Sequence, residues 1–284
     1  MNLVAFFKPH WPLPAMRRRD RGRAGIVRLI SSGLEERRRC GPEDEDFVDT
    51  LIQARYADGR ALHDEEIVGL LLTLIFAGQH TSAVMAAWTG ILLLQHAPHL
   101  ERVLHEQETS LSGEPLALHA LRRLTVLERC LKEAERMYPP LVMLMRTILR
   151  DVRYQGHCLP AGDLAMVAPA VTHRLPHVFR EPERYDPDRF GPGREEDRRT
   201  QFSLIGFGGG KHRCIGMGFA YQQIKVIWTV LLRNFDMELA RGEYRPDYST
   251  FVVGPRPPCV VRYRRKPARR GALTLNGRKE MNRS

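Results

Sequence analysis

A single cysteine near the end of the chain lies in a glycine-rich segment that could present it to a metal. The segment reads Phe207-Gly-Gly-Gly210-Lys-His212-Arg-Cys214-Ile-Gly216, and a helix-like run follows it at once. A helix N-terminus offers free N–H groups and a partial positive charge, which stabilise a thiolate. Glycines allow the backbone to fold tightly beneath a flat partner. A lone thiolate without a second cysteine nearby favours an axial iron ligand over a zinc cage.

Other interpretations of this segment fit its residues less well. A P-loop requires glycine and then Ser or Thr at the positions of Ile205 and His212. A dinucleotide fingerprint that starts at Gly206 requires a third glycine where Lys211 stands. A zinc site requires partners for His212 and Cys214, and no other Cys or His pair has ligand spacing. A buried structural cysteine stays open as an alternative at this point.

The composition indicates an intracellular protein with a substantial core. The 284 residues suffice for one large domain or two small ones, and 43% of them are hydrophobic. Five scattered cysteines, an odd number, argue for a reducing compartment. The net charge of +11 comes from the two ends, residues 1–30 and 262–284, so the body between them is not basic. We therefore predict no nucleic-acid partner, and we expect the basic tail to be solvated or to dock an acidic protein.

One stretch, residues 67–94, is apolar enough to resemble a membrane span. Its middle reads Gly78-Gln-His-Thr-Ser82, and such a polar cluster is costly at the centre of a bilayer. A long helix buried inside a soluble protein fits better, so we predict no membrane span. Lys8 and several prolines interrupt the apolar start of the chain, which does not read as a signal peptide. The expected location is cytoplasmic and soluble.

The pattern of elements predicts a mainly α fold with a small β portion. Residues 174–213 are rich in Pro, Gly and charge, and such long irregular segments are usually functional. A single domain is expected over residues 1–265, followed by a basic, disordered tail over 266–284. Helices are predicted over residues 15–40, 64–96, 98–110, 117–138 and 215–234, and strands over 142–145, 152–158, 164–168, 251–253 and 260–263.

Two charged motifs precede the cysteine segment. Glu133 and Arg136 are three positions apart on the predicted 117–138 helix, so they can pair. Arg189 follows in Asp186-Pro-Asp-Arg189-Phe190, inside the irregular segment. Taken alone, Glu133 and Arg136 would be an ordinary surface pair.

A third motif, Ala77-Gly78-Gln-His80-Thr81, lies midway along the long helix. Ala77 and Thr81 are four positions apart and share a face, and a threonine hydroxyl can bond a backbone carbonyl and locally loosen a helix. Taken alone, the motif is a polar break in a buried helix.

Together, in this order, the motifs and the cysteine segment resemble the cytochrome P450 family of haem-thiolate monooxygenases. The resemblance covers most of residues 1–265 and implies the C-terminal portion of the P450 fold, without its N-terminal part. It implies haem b (iron protoporphyrin IX) ligated by Cys214, with Phe207, Gly210 and Gly216 in the haem-binding loop. It also implies that Glu133, Arg136 and Arg189 form a structural triad that locks this loop.

The resemblance also assigns the oxygen side of the haem. It implies catalytic roles for Thr81 and His80 in handling oxygen and protons, and it places Ala77 and Gly78 beside the cofactor. Most of the family has an acid where this chain has His80, and a histidine there is similar to the sterol 14α-demethylase branch. Imidazole as a class can shuttle protons near neutral pH.

Further positions are similar to the same branch. His212 stands where most relatives have arginine, Leu144-Met-Arg146 follows the Glu-x-x-Arg helix, and the chain has Pro-Cys-Val-Val-Arg-Tyr-Arg-Arg over 258–265. By this resemblance, Arg146 and His212 would pair with the haem propionates. The candidate walls of the substrate pocket are Phe76, Leu141 and Met143.

The implied partners are a sterol or other lipophilic molecule, dioxygen, and a ferredoxin or flavoprotein reductase that donates electrons near Lys211 and Arg213. The activity expected of the chain is oxidation of a sterol methyl group. Two alternatives stay open: a truncated, non-catalytic gene fragment of such an enzyme, and a monooxygenase of the same family with a different lipophilic substrate.

Overall fold

Helices dominate the chain, and its strands are short. The structure is a computed structural model that describes residues 14–41, 45–111, 116–240 and 242–267. The mainly α fold with a small β portion is confirmed. The helices are α1 (Pro14–Cys40), α2 (Phe47–Gln53), α3 (Asp64–Gln95), α4 (Ala97–Ser110), α5 (Leu118–Arg123), α6 (Thr125–Met137), α7 (Pro169–Thr172), α8 (Glu196–Arg199) and α9 (Met217–Asn234), with 3-10 turns at Pro187–Phe190 and Gly210–His212. The strands are β1 (Leu144–Thr147), β2 (Val152–Tyr154), β3 (His157–Leu159), β4 (Leu164–Val167), β5 (Phe235–Leu239) and β6 (Val261–Arg265).

The described residues divide into two compact units, one that ends at His80 and one that begins at Thr81. The single domain expected over 1–265 stays a prediction. Most of the predicted basic tail, from residue 268 onward, lies outside the described residues.

In the first unit, a small apolar core joins α1, α2 and the start of α3. Leu34, Ile67 and Val68 are its buried members. Asp46 begins α2 with a capping box, because its carboxylate accepts from backbone N–H groups of the first turn while Asp49 accepts from the Asp46 N–H. Such a cap satisfies donors that the helix itself leaves free.

Helix α3 is apolar along most of its length, and its burial changes near the middle. Residues 82–93 are mostly buried, whereas residues 75–80 are all exposed, and 76% of Phe76 is accessible. The prediction of a buried helix therefore holds for its second half and not for residues 75–80. Within the described ranges, α3 is the one helix long and apolar enough to cross a membrane, which is weak evidence because buried core helices pass the same test.

The second unit has its core between α4, α5, α6, α9 and the second half of α3. Trp228 of α9 crosses α3 at Gly90, where an added Cβ would lie 1.7 Å from the indole ring. The indole N–H also donates to the carbonyl of Ala86 at 2.8 Å. Glycine at position 90 is thus what allows the two helices to approach so closely.

The strands form three antiparallel pairs, β1–β4, β2–β3 and β5–β6. The strand predicted over 152–158 is instead a hairpin, because Gln155 and Gly156 both have positive φ and reverse the chain. Residues 160–163 therefore link β3 to β4, which belong to different pairs. The predicted strand at 251–253 is absent from the structure, and β5 was not predicted.

The helix predicted over 117–138 is two helices. Leu124 adopts a non-helical ψ of 75° and separates α5 from α6. Glu133 and Arg136 both lie on the second of these helices, α6.

Candidate functional site

The glycine-rich segment over residues 207–216, called the cysteine loop below, has a hydrogen-bonded backbone and an exposed face. The Cys214 N–H donates to the carbonyl of Phe207, and the Gly208 N–H donates to the carbonyl of Ile205, both at 2.8 Å. Gly208 has φ +71°, and an added Cβ there would lie 2.8 Å from the carbonyl oxygen of His212. The turn therefore requires glycine at position 208.

Cys214 is exposed and lies three residues before α9 begins at Met217. Gly216 occupies the N-cap position of α9, and its carbonyl accepts from the Ala220 N–H at 2.9 Å. Among the described residues, no group of three or more His, Cys, Asp or Glu side chains could hold a metal ion. Cys214 is thus a single-thiol donor beside open space.

The structure brings Glu133, Arg136 and Arg189 into one buried ion cluster. Arg136 Nε lies 2.7 Å from Glu133 Oε2, and Arg189 Nε lies 3.0 Å from Glu133 Oε1. All three side chains are fully buried. Buried charges of this kind are tolerated only when their hydrogen bonds are complete.

Glu196 of α8 completes the cluster, and sequence reasoning missed it. Its carboxylate lies 2.7 Å from Arg189 Nη1 and 2.6 Å from Arg194 Nη2. Burial opposes ionisation of Glu196, but hydrogen bonds from Arg194 and Arg189 outweigh it and hold its pKa below the ordinary 4.5. No local pattern marks Glu196, because its partner Arg189 belongs to a different turn of an irregular segment.

Backbone carbonyls within and just before the irregular segment accept from other N–H groups of Arg136 and Arg189. Arg189 donates to the carbonyls of Arg180 at 2.9 Å and Arg184 at 3.1 Å, and Arg136 donates to the carbonyl of His173 at 2.9 Å. The cluster therefore holds the path of the chain between β4 and the cysteine loop.

His173 is a second link from α6 to the cysteine loop. Its ring is fully buried, with Nδ1 3.2 Å from the carbonyl of Arg136 and Nε2 accepting from the Ile205 N–H at 2.9 Å. Burial lowers the pKa of His173 from 6.5 to about 4, so the ring is neutral at neutral pH.

Glu135 lies under the loop on the same helix. Its carboxylate accepts from the Tyr221 hydroxyl of α9, and an added Cβ at Gly206 would lie 2.6 Å from its Oε1. Burial raises the pKa of Glu135 to about 7, and the Tyr221 hydrogen bond only partly offsets this effect. Both residues line a cavity of about 570 Å³ between α6, the irregular segment, the cysteine loop and α9.

A buried carboxylate from a neighbouring helix caps α6. Glu106 of α4 accepts from the backbone N–H groups of Val126 at 2.7 Å and Leu127 at 3.0 Å, and from the hydroxyl of Thr125 at 3.2 Å. The residue before the helix, Leu124, offers no side-chain cap. Glu106 therefore satisfies N–H groups at the start of the helix that carries Glu133.

Comparison with known sequences identifies the protein family. The sequence profile of the cytochrome P450 family matches residues 1–261. The chain belongs to the cytochrome P450 family.

Several named relatives are similar to this chain over 93% of its length. The sterol 14-demethylase of Arabidopsis thaliana is 41% identical, the sterol 14alpha-demethylase of Mycobacterium tuberculosis 38%, and the lanosterol 14-alpha demethylase of Bos taurus 37%. The chain spans 56%, 60% and 53% of the length of these three relatives. A solved structure, the retinoic acid-bound cyanobacterial CYP120A1, matches with a TM-score of 0.79 at 29% identity, covering 90% of this chain and 59% of that one.

The cysteine loop fits the haem group that the P450 family implies. Cys214 offers one exposed thiol, and no heavy atom lies within 4 Å of an added Cβ at Gly210, so a flat ligand can approach the loop. Arg146 on β1 and His212 in the 3-10 turn are both exposed. Arg146 Nη1 donates to the carbonyl of Met145 at 2.7 Å, and the guanidinium has further N–H groups. Their positive or donor groups are available to an anionic ligand.

The remaining P450-derived candidates lie on α3 and before β1. Thr81 and Leu141 are half-buried, whereas Met143 is exposed. The other members of this set, all exposed, are Phe76, Ala77, Gly78 and His80. Their assignment to the cofactor or substrate stays a prediction.

Proposed function

We propose that this chain acts as a haem-thiolate monooxygenase of the sterol 14α-demethylase type. The observation that carries the proposal is the exposed Cys214 thiol on a glycine loop that a buried ion cluster ties to α6. Relatives named as sterol or lanosterol 14-demethylases, at 37–41% identity, support the substrate class.

Haem b, when bound, supplies the iron at which dioxygen is activated. Under this proposal the Cys214 sulfur ligates that iron as a thiolate. Arg146 and His212 would donate hydrogen bonds to the haem propionates. Such bonds are charge-assisted and would help to hold the cofactor.

Protons and electrons reach the reaction by separate routes. We assign proton delivery to the Thr81 hydroxyl and the His80 imidazole, by similarity to the P450 family. Electrons come from a ferredoxin or flavoprotein reductase that docks near Lys211 and Arg213, both of which are exposed cations.

The proposed substrate is a sterol whose 14α-methyl group is oxidised. A sterol is rigid and apolar, so its binding is driven by burial of apolar surface. By similarity to the P450 family, Phe76, Leu141 and Met143 are the proposed contacts. The apolar side chains of Phe76 and Met143 are exposed.

The carbon monoxide spectrum of the reduced, haem-loaded chain tests the ligand. We expect a thiolate-type Soret band that disappears in Cys214→Ala and persists in Cys40→Ala, a control at an exposed cysteine at the end of α1. Absence of haem uptake by the unaltered chain would refute the proposal and favour a non-catalytic fragment.

A spectral binding titration tests the substrate class. Sterols that carry a 14α-methyl group should shift the Soret band at lower concentration than unrelated lipids of similar hydrophobicity. An equal response to both would keep the monooxygenase class and overturn the sterol assignment.

A further inference from the structure

His173 has hydrogen-bonding geometry that allows only one tautomer. Ile205 can only donate through its backbone N–H, so His173 Nε2 must be the unprotonated acceptor in their 2.9 Å contact. The proton then resides on Nδ1, which donates to the carbonyl of Arg136. Both polar atoms of the ring are thus used in a fully buried position.

The contact with Arg136 runs in both directions. Arg136 Nη1 donates to the carbonyl of His173 at 2.9 Å, while the His173 ring donates to the carbonyl of Arg136. Because Arg136 is itself held by Glu133, the histidine is fixed to the ion cluster.

From the ring, a short series of backbone bonds leads to the cysteine. Ile205 donates its N–H to the His173 ring, and its carbonyl accepts from the Gly208 N–H. Two residues further along, the carbonyl of Phe207 accepts from the Cys214 N–H. Ile205 is therefore the first residue of the turn that sets the place of the thiol.

We propose that His173 is a positioning residue for Cys214. The His173 ring fixes the start of the cysteine loop to the buried ion cluster that contains Glu133 and Arg136. The proposal rests on the proposed haem ligation by Cys214. The sequence motifs assign no role to His173, and the ring acts through Ile205 without touching the thiol. The low pKa of the ring keeps Nε2 an acceptor at neutral pH.

Amide hydrogen exchange of the haem-free chain tests the loop directly. His173→Phe keeps an aromatic ring but leaves the Ile205 N–H without an acceptor, so exchange over residues 202–214 should rise about tenfold. His173→Gln restores an oxygen acceptor near the place of Nε2 and should recover most of the protection. Exchange over residues 125–132 of α6 should stay unchanged in both variants.

Two results of this experiment would overturn the proposal. One is unchanged exchange over residues 202–214 in His173→Phe, and the other is an equal rise in α6, which indicates a general loss of structure. If His173→Phe does not fold, His173→Asn replaces it, because its shorter amide does not reach the Ile205 N–H.

A second readout uses the haem-loaded chain. The thiolate-type share of the reduced carbon monoxide spectrum should fall in His173→Phe and return in His173→Gln. An unchanged share in His173→Phe, in a chain that binds haem normally, would count against the positioning role. If the unaltered chain takes up no haem, the proposed function fails, while the exchange experiment still decides whether His173 holds the loop.

Discussion

Replacing Glu135 with glutamine should remove a specific pH dependence from the stability of the second unit. Glu135 is buried, and its pKa is raised from 4.5 to about 7 in the folded chain. Between pH 4.5 and 7 the folded form keeps its proton while the unfolded form loses it. The folded form then binds more protons than the unfolded form, so the free energy of unfolding falls as pH rises.

The size of this pH dependence follows from the difference between the ordinary pKa of Glu135 and its raised pKa in the folded chain. Each pH unit between the two pKa values changes the free energy of unfolding by about 1.4 kcal/mol, so the shift corresponds to about 3 kcal/mol. Glutamine keeps an oxygen acceptor for the Tyr221 hydroxyl but does not titrate. The unaltered chain should therefore lose about 3 kcal/mol relative to Glu135→Gln between pH 4.5 and pH 8.

Urea unfolding at pH 4.5, 6 and 8, followed by tryptophan fluorescence, measures this difference, since Trp88 and Trp228 are buried in the second unit. Glu101→Gln on α4 controls for removal of one exposed carboxylate. A difference between the unaltered chain and Glu135→Gln that does not change with pH would refute the reasoning.

Three other substitutions test contacts in the same unit. Glu106→Ala should lower the free energy of unfolding by about 1–2 kcal/mol in a urea titration, because α6 loses its cap, and an unchanged midpoint would contradict that role. Arg189→Ala removes an ion-pair partner from the buried carboxylates of Glu133 and Glu196, and should lower the free energy of unfolding by about 3–5 kcal/mol in the same titration. A loss below about 1 kcal/mol would contradict this, because water or a neighbouring residue would then replace the guanidinium. Gly90→Ala forces a methyl group against Trp228 and should cost about 1–3 kcal/mol, seen as a lower thermal midpoint. Gly78→Ala is the control on the part of α3 in the first unit; with open space around it, it should be neutral or slightly stabilising.

Local patterns predicted the elements whose signals are short in range. The pairing geometry of Glu133 and Arg136 depends only on helical spacing, and the structure places the two in contact. The same kind of signal was available for β5 and was missed, because Phe235-Asp-Met-Glu-Leu239 alternates apolar and polar residues directly after α9. Gly156, at the reversal between β2 and β3, likewise marked a hairpin inside the predicted strand.

Contacts made across long stretches of sequence were beyond such patterns. His173 meets Ile205 across 32 positions, and Glu106 meets the start of α6 across about 20. The first contact depends on the path of the irregular segment and the second on helix packing. Neither contact leaves a periodic pattern in the sequence. Burial also cannot be read from apolar character alone, as the exposed residues 75–80 of the apolar helix α3 show.

Arg189 lies at the centre of the buried ion cluster, and the needs of the irregular segment explain why this residue is an arginine. A chain without helix or strand bonds leaves backbone carbonyls that need donors when they are buried. Arg189 meets two carboxylates, Glu133 and Glu196, and also donates to the carbonyls of Arg180 and Arg184. A lysine has only three donors and no planar fork, so it could balance charge at this position but could not reach all of these acceptors. The cluster thus gives the segment before the cysteine loop one defined path, and that path is what sets the thiol in place.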